Sequence, residues 1–96
     1  MRHGLRCRVS RTPRGDRIEV SGRLTRRSQQ RVVEALWRRA WTGGSHITVD
    51  LAGVTFFDGT SVIVLLGNKR IVERQRGCTV DVTGLETATR RILALP

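Results

Sequence analysis

With 96 residues and 39% hydrophobic residue types, the chain is sized for one domain with a single core, burying roughly 60–65% of the surface its unfolded form exposes. No stretch reaches the ~20 apolar residues that cross a bilayer as a helix, and Met1 to Thr12 carries charges where a signal peptide needs an apolar run, so a cytoplasmic address without a membrane span is expected. The formal charge of +10 comes from 17 arginines and one lysine against eight acids, and it is uneven, with a net of +9 in residues 1–39 and +1 in 40–96.

In chain order, Leu5 to Arg11 alternates weakly and ends in the turn-rich Thr12-Pro13-Arg14-Gly15-Asp16, after which Arg17 to Ser21 alternates through Ile18 and Val20. These segments predict a hairpin closed by Gly22, with Met1 to Gly4 frayed ahead of it. From Thr25, read as an N-cap, Val32, Val33, Leu36, Trp37, Ala40 and Trp41 recur at three- and four-residue spacing. They predict an amphipathic helix stopped by Gly43-Gly44, with Arg26, Arg27, Arg31, Arg38 and Arg39 on its wet side and both tryptophans in the core or at its edge.

Ile47 to Leu51 reads as a central strand covered on both faces. At Asp58-Gly59-Thr60-Ser61 the apolar text breaks, then resumes as a helix to about Arg76 along Val62, Leu65, Leu66, Lys69 and Val72, with Gly77 as its stop. Ile63 and Val64 add apolar surface at its start, which suggests a second contact there. Cys78 to Val82 forms another strand, and Ala88, Ile92 and Leu95 line a short last helix. The order β-β-α-β-α-β-α gives an α/β domain with a four-stranded mixed sheet, three or four helices and helical crossovers, over residues 1–96.

The elbow at Asp58 to Ser61 places hydroxyls and free N–H groups at a helix N-terminus, where the helix dipole favours negative charge. Helix capping alone also accounts for these residue types. Two cysteines, Cys7 and Cys78, are too few for a disulfide framework and not spaced for zinc, and are expected as buried, reduced thiols on strands. His3 is expected in a tail and His46 in a loop. Neither nucleophile with base, nor paired carboxylates, nor metal cluster, nor nucleotide loop is recognisable, so neither enzymatic activity nor a cofactor is expected.

The text around the elbow resembles the STAS family, the domain of bacterial anti-sigma factor antagonists, whose usual sequence is close to "DLSGVTFIDSSGL" ahead of an apolar helix. Asp50-Leu51-Ala52-Gly53-Val54-Thr55-Phe56-Phe57-Asp58 matches nearly residue for residue. Ile18-Glu19-Val20-Ser21-Gly22-Arg23-Leu24 is similar to the family's "V-x-G-x-L" strand end, and Gly77 to Gly84 with Thr89 to Leu93 to its last strand and closing helix, so the resemblance covers about residues 16–95.

The resemblance implies a regulatory protein that binds an anti-sigma factor/serine-threonine kinase through Asp58, Gly59, Thr60, Ser61, Val62 and Ile63. It implies a switch by phosphorylation at Thr60, with Ser61 the alternative acceptor and a phosphatase to reset it. An unphosphorylated STAS accessory subunit regulating an ATPase, such as a lipid-transporting ABC complex, is the other reading. The family's Ser-Ser-Gly is here Gly59-Thr60-Ser61, and its acidic residues after the second strand are replaced by Arg23 and Thr25. Excess arginine raises non-specific affinity for polyanions, but scattered arginines also make an ordinary solvated face, and no specific nucleic-acid partner is expected.

Overall fold

The hairpin forms as its alternation predicts, although Gly22 does not close it: the second strand pairs Gly22 with Leu5 and continues to Leu24. In the computed structural model, which describes residues 4–94, β1 (Leu5–Thr12) and β2 (Gly15–Leu24) pair antiparallel around Pro13-Arg14. Then come α1 (Gln29–Trp41), β3 (His46–Phe57), α2 (Gly59–Arg76), β4 (Thr79–Thr83) and α3 (Leu85–Leu93). The sheet order is β1-β2-β3-β4, with β3 parallel to both neighbours, so the four-stranded mixed sheet is present, with three helices among the described residues. His3, Met1 to His3 as a frayed end, and Leu95 in the last helix lie outside the described residues.

One face of the sheet carries the core. Leu5, Ile18, Val20, Ile47, Val49, Leu51, Val54 and Val80 are buried with Val32, Leu36 and Ala40 of α1 and Leu65 and Val72 of α2. Each of the Val, Leu and Ile side chains among them contributes about 1.5–3 kcal/mol on burial. Trp37 bridges the two helices, its Nε1 donating to Asn68 Oδ1 at 3.0 Å.

The other face is not covered as expected for β3. Thr48 and Asp50 are half-buried, among exposed Arg6, Arg8, Glu19, Asp81 and Thr83. The reason lies in the strand's own alternation, because Thr48 and Asp50 fall on the face of Arg17, which donates to Asp50 Oδ2 at 2.6 Å. β3 also runs past β4, whose last pairing with it is Asp50↔Thr83. α3 lies against this overhang, with Ala88 fully buried and Arg91 Nη1 donating to the Ala52 and Val54 carbonyls at 2.7 and 3.2 Å. The approach needs Gly84, which has φ 80 and whose Cβ would collide with the Ala52 amide.

Four local expectations are corrected. The N-cap of α1 is Ser28, because Thr25 and Ser28 close a turn first, Ser28 Oγ accepting from the Thr25 N–H at 2.9 Å and donating to the Arg23 carbonyl at 2.7 Å. Trp41 is 65% exposed, lying past Ala40 at the end of the stripe with the Arg76 guanidinium over its ring at 4.2 Å. His46 begins β3 instead of lying in a loop, its Nε2 3.2 Å from Asp81 Oδ2 on the paired strand. Cys78 is buried but one residue ahead of β4, and Cys7, on β1, is only half-buried; burial still pushes the Cys7 thiol up, against the lowering effect of Arg31.

Candidate functional site

β3 delivers the elbow. Its last residues pair with the end of β2, Arg23↔Phe56 and Leu24↔Phe57, and the Asp58 N–H donates to the Leu24 carbonyl at 3.3 Å. Asp58 then leaves the strand with φ −103 and ψ 155 and caps α2. Its Oδ1 accepts from both the N–H and the hydroxyl of Ser61, each at 2.8 Å. These two bonds, the hydroxyl's foremost, hold the Asp58 carboxyl below the ordinary aspartate value.

With Asp58 as the half-buried cap, the other five residues singled out from sequence separate into two sets. Ser61 is fully buried with its hydroxyl on Asp58, and Val62 is buried in the core, so neither forms part of the exposed surface. Gly59 and Thr60 are exposed at the first two helical positions, where N–H groups lack intrahelical acceptors. Ile63 follows on the same flank at 70% exposure and Leu66 at 37%. Thr60 is therefore the exposed hydroxyl of the elbow, at the positive end of a helix of 18 residues. A Cβ at Gly59 would meet nothing within 4 Å, so the serine usual in the family fits the backbone there too.

Sequence reasoning missed the surroundings of the elbow. Asp58 Oδ2 accepts from the Arg26 N–H at 3.3 Å, which brings the turn carrying Arg26 and Arg27 against a site set in the nearly neutral part of the chain. Arg23 lies over the Phe56 ring at 4.3 Å, one residue pair below. The signal was present in the text only as Arg23 and Thr25 standing where acids are usual. The pairing of β2 with β3 turns that departure into a basic rim beside the elbow.

Among the described residues, no three His, Cys, Asp or Glu side chains gather closely enough to hold a metal ion, and no helix is long and apolar enough to cross a membrane. The family model described as "Mlab, STAS domain" matches residues 7–95. The chain belongs to the STAS family. An antisigma-factor antagonist STAS domain from Rhodobacter sphaeroides superposes on it with a TM-score of 0.71 at 19% identity, covering 92% of this chain and 95% of that one. An anti-sigma factor antagonist from Mycobacterium paratuberculosis gives the same TM-score and identity over 95% of this STAS domain and 76% of its own chain. Such identities establish the shared STAS fold. No curated protein matches the chain.

Proposed function

We propose that this STAS domain is an anti-sigma factor antagonist that docks a serine/threonine kinase acting as anti-sigma factor through its elbow, and that phosphorylation of Thr60 releases it. The observation that carries the reading is the pairing of one exposed hydroxyl, Thr60, with an exposed apolar anchor one turn on, Ile63, at the start of α2. An anchor of this kind contributes most at the dehydrated centre of an interface. A phosphate at Thr60 adds about −1.5 to −2 charges beside it. The helix N-terminus accommodates that charge locally, whereas a closed apolar interface does not, so the partner leaves without refolding of the domain. Ser61 serves as the internal brace, because its hydroxyl already holds Asp58.

The second reading, an accessory subunit that regulates an ATPase through the same surface and is never phosphorylated, is favoured by the departures at Gly59 and Ser61 from the family's loop. Affinity capture from the native cell with mass spectrometry, followed by binding of Thr60 variants to the captured partner, separates the two. Phosphate on Thr60, unimpaired binding by Thr60→Ala and a loss of roughly tenfold or more for Thr60→Glu support the switch. Equal affinities of all three forms, with no phosphate on Thr60, assign the domain to the accessory role.

A further inference from the structure

β1 is the outermost strand on its side of the sheet and eight residues long. Its pairing with β2 runs without a register shift from Leu5↔Gly22 to Thr12↔Gly15, so no bulge twists this edge away from an incoming chain. One contact gives the direction of its backbone groups. Arg31 Nη1, on α1, donates to the Leu5 carbonyl at 2.8 Å, so that carbonyl points away from β2. Residues of an antiparallel pair alternate between facing the partner and facing outward, and the N–H and C=O groups of Cys7, Val9 and Arg11 therefore face outward as well.

The side chains give this edge two different rims. From Leu5 to Thr12 there are three arginines and no acid. Arg6 and Arg8 stand exposed on the open face and, among the described residues, pair with no carboxylate; Glu19, directly across from Arg8, is engaged by Arg17 at 3.4 Å. On the core side the same edge shows Cys7, half-buried, and Val9, 42% exposed. One rim is cationic and the other apolar at Cys7 and Val9, ending at Arg11, which pairs with Asp16 at 3.4 Å, at the two-residue spacing of a strand.

We propose that the outer edge of β1 docks an extended segment of an acidic partner protein, in which carboxylates that meet Arg6 and Arg8 alternate with apolar side chains that cover Cys7 and Val9. Main-chain hydrogen bonds to Cys7, Val9 and Arg11 supply the pairing, and the two rims supply the choice of sequence. A second copy of this chain is the wrong occupant, because an antiparallel β1–β1 pair centred on Cys7 or Arg8 sets arginines directly across from one another, every register brings together two chains of net charge +10, and like charges oppose pairing. The edge shares no residue with the elbow, so it operates whichever reading of the elbow holds.

The test is fluorescence anisotropy of the full chain with a labelled octapeptide of alternating valine and glutamate. Two further probes replace glutamate by lysine or carry an N-methyl group on every backbone amide, which keeps side chains and charge and removes the ladder donors. The parent probe is expected to bind, and to weaken by roughly tenfold or more with either change and with Arg6→Glu/Arg8→Glu, whose positions are exposed and leave the core intact. Thr60→Glu is expected to leave binding unchanged. An N-methylated probe that binds as well as its parent, or no binding of the parent at all, overturns the proposal. Displacement of the probe by self-association of the protein, or by oligothymidylate at lower concentration than the unlabelled peptide needs, also overturns it.

Discussion

The two outer margins of the sheet meet water in opposite ways. At the β4 side, Glu73 Oε2 accepts the outward Val80 N–H at 2.9 Å, Arg91 takes the Ala52 and Val54 carbonyls of the overhang, and Asp50 Oδ1 accepts the Ala52 N–H at 2.9 Å. At the β1 side, among the described residues, only the Leu5 carbonyl is taken in this way, by Arg31. The difference follows from where the helices lie. α2 and α3 run beside β4 and the end of β3, so their side chains reach the exposed backbone, whereas α1 reaches β1 at its first residue and leaves the rest to be protected by charge. A margin can thus be sealed by cover or guarded by repulsion, and only the guarded kind stays available to another chain.

The strongest way to break this contrast is to undock α3. Ala88→Asp places an unpaired carboxylate in a fully buried position, and a loss of about 3 kcal/mol or more in chemical denaturation is expected, with faster amide exchange along residues 52–56. Unchanged exchange there would mean that the overhang of β3 does not depend on α3. A milder change compares the two arginines directly. Arg91→Ala, which removes two bonds to carbonyls, is expected to cost about 1 kcal/mol, and Arg31→Ala, which removes one, about 0.5 kcal/mol; the opposite ranking in denaturation midpoints would reverse the account of which margin is sealed.

The smallest effect is a pH dependence. The Val80 N–H, followed by Lys69, holds the Glu73 carboxyl below the ordinary glutamate value. A depressed folded-state pKa means that the unfolded chain takes up the proton first, so the stabilisation is present above the ordinary glutamate value of about 4.3 and is lost as pH falls through the lower folded value. Glu73→Gln is expected to flatten the stability profile in that acid window, measured by thermal melts, and to leave stability at neutral pH only slightly reduced. An unaltered acid slope would show that Glu73 does not seal β4.

Most of the architecture was legible because each element carries its period and its stop. Pro13-Arg14 in the hairpin, Gly43-Gly44 after α1 and Gly77, at φ 71 as the cap of α2, all stand where the text places them. The elbow was legible as a position, since Asp58 caps α2, but its exposure was not. Ser61 and Thr60 are alike in sequence, and only the turn geometry of a capped helix sends one hydroxyl to Asp58 and the other to water. What the linear text hid was long-range. Thr25 has the chemistry of an N-cap, yet its turn with Ser28 delays α1, and the distribution of charge along the chain gave no sign that Arg26 would adjoin Asp58, 32 residues away.

That last contact has a consequence for how the gene can vary. A single carboxylate fastens the Thr25–Ser28 turn to the start of α2, so the connection from β2 to α1 has a fixed length, and one residue inserted there would pull Arg26 off Asp58. The connection after α1 is different, because Gly43 is exposed and a Cβ there would meet nothing within 4 Å. Length variation among relatives is therefore expected to collect at Gly43, while the turn beside the elbow keeps its count of residues even where their identities drift.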